Sequence, residues 1–156
     1  MARLDTLKGI TAKQTEALAD AKVKSTLTLL RLGSTPDGRK DLARATKIDA
    51  RRIENWVHRI DLARIKGITD DFARLLVRAG VVSVVELSIR NPNDLATDLR
   101  AAEAIERTGR RLPSEVVLQR WIEDARLMLR NVWYHDTWGD EARTGRTPAK
   151  YAGPRA

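Results

Sequence analysis

The chain has 156 residues, with 29 Lys and Arg against 21 Asp and Glu, a formal charge of +8 that makes a polyanion the first partner to consider. It has no cysteine and only two histidines, His58 and His135, far apart in sequence, which excludes disulfides, thiol chemistry and a histidine-rich metal centre. At 42% hydrophobic and 4% aromatic residues it can bury a core, and that core is mainly aliphatic.

In chain order, the first landmark is Leu7-Lys8-Gly9-Ile10-Thr11, an apolar-x-Gly-Ile-x turn. Thr11-Ala12-Lys13-Gln14 fits a capping box: the threonine hydroxyl takes an orphan helix N–H and Gln14 reaches back to the cap. Gly33-Ser34-Thr35-Pro36-Asp37-Gly38 predicts a surface loop. The run Gly33-x-x-x-x-Gly38-Arg39-Lys40 is only superficially a phosphate loop, because it lacks Gly-Lys-Ser/Thr and a preceding strand. Thr46-Lys47-Ile48-Asp49, before Arg51 and Arg52, is a second turn, with Arg39, Lys40 and Arg44 nearby. Ile53, Trp56, Val57 and Ile60 follow the spacing of a buried helical stripe. His58 shares that helix without a catalytic partner in its pattern, so packing is its expected role.

The pattern then repeats. Leu7-Lys8-Gly9-Ile10-Thr11 returns as Ile65-Lys66-Gly67-Ile68-Thr69, an offset of 58, and Leu18, Ala21, Val23, Ser25 and Leu29 match Leu76, Ala79, Val81, Ser83 and Leu87 at the same offset. Ile53, Trp56, Val57 and Ile60 match Leu118, Trp121, Ile122 and Ala125 at an offset of 65, so the second copy has gained seven residues in between. In that copy Thr69 is expected to cap a helix whose first turn holds Asp70 and Asp71, with Phe72, Leu75, Leu76 and Ala79 facing inward and Gly80 as its left-handed stop. Asn91-Pro92 and Leu112-Pro113-Ser114 start later helices, with proline in the first turn. No stretch alternates apolar and polar residues, so the class is all-α. The organisation is a basic unit at 1–61, a second unit at 62–130 and an extended aromatic and basic tail at 131–156. Positions 1–60 hold 13 basic and 7 acidic side chains, so most of the surplus charge lies in unit one.

A short helix running into apolar-x-Gly-Ile-x and then a capped helix resembles the helix-hairpin-helix motif. More broadly, the chain resembles an uncharacterised bacterial family, a domain of unknown function, built from tandem helix-hairpin-helix units. The resemblance runs through Ile65-Lys66-Gly67-Ile68-Thr69, Leu76-x-x-Ala79-Gly80-Val81, Glu86-Leu87, Asn91-Pro92, Leu95 and Leu112-Pro113-Ser114-Glu115 to Trp121-Ile122. Residues 1–61 look like a diverged copy, and 131–156 lie outside it. The resemblance implies a helical fold and a DNA-backbone contact.

The physics of such a hairpin does not depend on family. Glycine lets the backbone approach a phosphate, and the next helix offers free N–H groups with partial positive charge. Contacts of that kind read no base code. Helix-hairpin-helix DNA binders usually carry Gly-hydrophobic-Gly, whereas here the second glycine is Thr11 or Thr69, whose side chain crowds the approach. Asp70 and Asp71 would also repel a phosphate at the second hairpin, so unit one is the better candidate. Lys8, Gly9, Ile10, Thr11, Lys13, Lys47, Arg51 and Arg52 are its expected contacts with duplex DNA.

A second reading stands beside the first: a protein-binding accessory or scaffold subunit of a larger assembly. Its docking segment would be the tail, with Trp133, Tyr134 and Trp138 as anchors and Arg143 and Arg146 meeting an acidic surface on the partner complex. No paired carboxylates, metal-spaced ligands or nucleophile–base set stands out, so no enzyme, cofactor or metal is expected. Short apolar runs and the absence of a signal-peptide core predict a cytoplasmic protein without membrane insertion.

Overall fold

The structure, a computed structural model, describes residues 3–128. These residues form a 3-10 turn at Leu4–Thr6 followed by eight α-helices. The helices are α1 (Ala12–Asp20), α2 (Thr26–Leu32), α3 (Pro36–Thr46), α4 (Ala50–Leu62), α5 (Asp70–Arg78), α6 (Val84–Ser88), α7 (Pro92–Glu106) and α8 (Glu115–Arg126). There is no strand among the described residues, only an isolated antiparallel bridge between Arg3 and Ser25. The protein is all-α over this range.

Side-chain caps set most of the helix starts. Gln14 N–H donates to Thr11 Oγ1 at 3.1 Å and Thr11 N–H to Gln14 Oε1 at 2.9 Å, completing the capping box. Ser25 and Ser83, equivalent positions in the two copies, cap α2 and α6 by accepting from Thr28 and Glu86 N–H. Asn91 caps α7 and Ser114 caps α8. Each such cap is worth about 1 kcal/mol.

Three local expectations are corrected. Gly33 to Gly38 is not all loop: Thr35 accepts the Gly38 N–H and Pro36 takes the first helical position, so α3 begins inside the cluster. Thr69 occupies the N-cap of α5 but makes no side-chain cap bond; the carboxylates of Asp70 and Asp71 in the first turn face the helix dipole instead. Pro113 precedes the cap of α8 and so lies outside its first turn.

The repeat is visible in the element order. The first and last positions of α1 and α5 are related by the offset of 58 seen in the sequence, and so are the first positions of α2 and α6. α6 is two residues shorter than α2, α7 is four longer than α3, and the connection into α8 is five longer than that into α4, a net gain of seven.

The core divides into two clusters. One gathers residues from Leu4 to Ile60, including Leu18, Leu29, Ile53, Trp56 and Val57. The other gathers residues from Leu62 to Ala125, including Leu76, Leu87, Leu95, Leu118, Trp121 and Ile122. Trp56 and Trp121 occupy corresponding places, each about 1% exposed. Polar side chains bind one cluster to the other. Asp61, near the end of α4, accepts the Val84 N–H at 2.9 Å and so holds the first turn of α6, while α4 packs along α5.

Candidate nucleic-acid interface

The two turns singled out in unit one lie side by side. Gly9 adopts φ +90°, a left-handed conformation that suits glycine, and turns the chain into the capped start of α1. Lys47 ends α3 in the left-handed region at φ 62°, Ile48 is buried, and Asp49 caps α4 by accepting the Arg51 N–H at 2.8 Å. Lys13 and Gln14 of α1 thus face Lys47, Asp49 and Arg52 across a groove of about 270 Å³.

That groove continues along one face of α4. A second concavity of about 400 Å³ shares Asp49 and Arg52 and adds Lys8, Arg51, Asn55, Trp56 and Arg59. A third, of about 440 Å³, shares Asn55 and Arg59 and reaches Arg74 and Arg78 of α5 and Glu106 of α7. Residues 49, 52, 55 and 59 follow helical spacing, and α4 rises about 15 Å between its first and last members. The linings together carry Lys8, Lys13, Lys47, Arg51, Arg52, Arg59, Arg74 and Arg78 against Asp49 and Glu106.

These cations divide by employment. Lys13, Lys47, Arg51 and Arg52 are exposed and make no ion pair with any described residue. Lys8 is differently placed from the expectation. Its Nζ lies 3.1 Å from Asp71 Oδ1, its N–H donates to Asp70 at 2.9 Å, and its carbonyl accepts from Arg59 at 2.9 Å. Arg59, 5% exposed, also grips Asp70 through Nε at 2.9 Å and Nη2 at 2.6 Å. Lys8 therefore serves the joint between the two copies. Asp70 and Asp71 are neutralised there by Arg59, Lys8, Arg74 and Arg110, which removes much of the repulsion expected at the second hairpin. Arg39 is likewise withdrawn: it is buried and donates to the Gly33 carbonyl at 2.8 Å.

Burial pushes the Asp71 carboxyl up, but hydrogen bonds and charge from Arg110 and Lys8 outweigh it and hold the group below its ordinary value. Glu54 is also held low, chiefly by its hydrogen bond with His58, against desolvation. His58 Nε2 lies 3.4 Å from Glu54 Oε1 in a buried position, consistent with packing.

The helix N-termini are less open than a bare hairpin would be. The capping box occupies the N–H groups of Thr11 and Gln14, leaving those of Ala12 and Lys13 without an intrahelical acceptor. Asp49 brings its own carboxylate to the start of α4. At the second glycine turn, Gly67 adopts φ +95°, and a Cβ there would lie 3.1 Å from Trp121 Nε1, so the indole fills the space behind the turn.

This geometry spans one recognised segment. The chain belongs to the family described as a domain of unknown function, DUF4332. The family match covers residues 8–128, which include the glycine turns at Gly9 and Gly67 and all three concavities. No curated protein and no solved structure matches the chain. Within the DUF4332 segment, sequence reasoning missed Arg59, Arg74, Arg78 and Glu106. Arg59 was legible, because it extends the polar stripe of Arg52 and Asn55 on α4; the others depend on how α5 and α7 meet it. No group of three or more His, Asp or Glu among the described residues is placed to hold a metal, and no described helix is long and apolar enough to cross a membrane. Trp133, Tyr134, Trp138, Arg143 and Arg146 lie outside the described residues.

Proposed function

We propose that this protein binds the sugar-phosphate backbone of duplex DNA without catalysis and without sequence preference, through the basic face of α4 and the adjoining start of α1. One observation carries the reading: Lys13, Lys47, Arg51 and Arg52 are exposed, free of ion pairs with described residues, and line two grooves in series. The two glycine turns at Gly9 and Gly67 support a tandem helix-hairpin-helix reading, and a DNA partner in a bacterial cell would place the protein in the cytoplasm. Because Asp49 and the Thr11–Gln14 box occupy part of the backbone donors at the two helix starts, the attraction comes mainly from side-chain cations. Four phosphates neutralised give a log–log salt slope of about −3.6. Anisotropy of a labelled duplex across a salt series tests this. Arg51→Gln and Arg52→Gln should each flatten the slope by about 1, equally for unrelated sequences. A wild-type protein that binds no duplex at low salt and micromolar concentration refutes the reading.

A second reading, a protein-binding accessory subunit, draws on a different surface. Leu7, Leu27, Leu30, Ile60, Ala63 and Ile68 line a largely apolar groove of about 290 Å³ where the two copies meet, and Leu27 is 54% exposed. Co-purification of one stoichiometric partner, lost on Leu27→Asp, would favour it.

A further inference from the structure

The concavity at the far end of the basic face differs in kind from the two before it. Three elements converge there: α4 supplies Asn55 and Arg59, α5 supplies Arg74 and Arg78 one turn apart, and α7 ends in Glu106. Three guanidiniums thus line a space of about 440 Å³ that holds a single carboxylate. Four of the five N–H groups of Arg59 donate to Asp70, Asn55 and the Lys8 carbonyl, so it forms a fixed wall. Arg74 and Arg78 converge on Glu106, with Arg74 Nη2 at 3.1 Å and Arg78 Nε at 2.8 Å from its two oxygens.

Glu106 is poorly placed for its own helix. It is the last residue of α7, where the carbonyl end of the helix dipole repels an acid, and Arg107 after it sits in a left-handed conformation at φ 50°. The two arginines hold the carboxylate there. Arg78 is half exposed, and only its Nε is engaged among the described residues. The cavity therefore presents two arginines already arranged around an oxyanion, with guanidinium N–H groups left to donate and a resident acid that its helix does not favour. A phosphate group offers more charge and more acceptor oxygens to the same arginine pair than a carboxylate does.

We propose that this cavity is a phosphate-binding site in which Arg74 and Arg78 are the ligands and Glu106 is the resident acid that the phosphate displaces. Arg59 and Asn55 form its wall toward the α4 face. The phosphate is either part of a nucleic-acid backbone running on from that face or carried by a free phosphorylated small molecule. The site stands on its own geometry and does not require the DNA reading.

The test uses the full chain at fixed ionic strength, with pyrophosphate followed by calorimetry and a labelled duplex followed by anisotropy. Glu106→Gln should bind the phosphate-bearing ligand about fivefold more tightly than wild type, because one competing negative charge beside the site is removed. Arg78→Gln should bind it about tenfold more weakly. A gain of affinity separates this from a structural role, since a variant that only loosened the fold would lose affinity. If pyrophosphate shows the pattern and the duplex does not, the source is a small molecule; if the duplex shows it, the source is the backbone. The pattern in pyrophosphate with no duplex binding by the wild type leaves this proposal standing and removes the DNA reading. Glu106→Gln binding neither ligand more tightly than wild type, or Arg78→Gln binding both as wild type does, overturns it.

Discussion

Replacing Arg59 by methionine tests whether the joint between the two copies is held by charge. The side chain makes charged hydrogen bonds to both oxygens of Asp70, at 2.9 and 2.6 Å, and one to the Lys8 carbonyl at 2.9 Å. Methionine keeps much of the apolar stem's packing and removes every donor. Asp70, whose side chain is 18% exposed, would keep only the Lys8 N–H, so a largely buried carboxylate loses its cation. Removing one partner of a fully buried pair costs about 3–5 kcal/mol; the residual exposure of Asp70 and its remaining donor place this case near the lower end, at about 3 kcal/mol. That is a large part of the roughly 5–15 kcal/mol typical of a domain. Asp70→Asn should cost about 2 kcal/mol by leaving Arg59 buried without its countercharge. The double variant should cost less than the sum, with a coupling of about 1–3 kcal/mol. Urea denaturation of the wild type and three variants, followed by circular dichroism, measures all four corners. Arg59→Met costing under about 1 kcal/mol with an unchanged denaturant slope would show that the joint is held by apolar packing alone.

Other consequences can be checked by the same denaturation measurements. Thr11→Ala should cost about 1 kcal/mol by opening the capping box, whereas Thr69→Ala should be nearly neutral, because Thr69 makes no cap bond. Lys22 sits at φ 68° where the second copy has Gly80 at φ +89°, and Val23 and Val81 N–H close the same bond back to Leu18 and Leu76; Lys22→Gly should therefore stabilise by about 1 kcal/mol. The carboxyls of Asp71 and Glu54 are held below their ordinary values, so their contribution to stability is complete above about pH 4–5 and is lost as pH falls through the lower folded values. Asp71→Asn should flatten the acid limb of a stability-against-pH curve; an unchanged limb would remove Asp71 from the account.

Local signals carried most of the fold. Thr11 and Gln14 stand at the spacing a capping box requires, and the stripes ending at Trp56 and Trp121 need only helical spacing to be read as buried. Thr69 shows where such reasoning stops. Its sequence context permits a cap, but its neighbours Asp70 and Asp71 are taken up by Arg59, Lys8, Arg74 and Arg110, of which Arg74 lies in the same helix and Lys8 in the other copy. Lys8 is the same lesson at the site. A lysine beside a glycine turn reads as a phosphate ligand until its partner is known, and that partner becomes visible only when α5 is packed along α4. The cluster of Lys13, Lys47, Arg51 and Arg52 was legible because both turns belong to one short unit, whereas the arginine cavity needs three helices from two units.

The two copies have come to use the same structural position in opposite ways. At an offset of 58, Ala12 and Lys13 in the first turn of α1 correspond to Asp70 and Asp71 in the first turn of α5. In the first copy that turn is exposed, and the end of α3 facing it is short, closing with Lys47 in a left-handed cap; the result is an open basic groove. In the second copy the equivalent turn is acidic, α7 is four residues longer, and the lengthened connection delivers Arg110 to Asp71 at 2.8 Å while Arg107 takes the corresponding left-handed cap. The acids draw in Lys8 and Arg59 from the first copy, so the start of α5 serves as the joint. The added residues and the reversed charges thus act together: two cations of the basic unit hold its neighbour, and the surplus that remains exposed on α1, the end of α3 and the start of α4 is directed along a single face. Asp71→Lys is therefore expected to weaken the joint before it creates a second binding groove, because Lys8, Arg74 and Arg110 already surround that position.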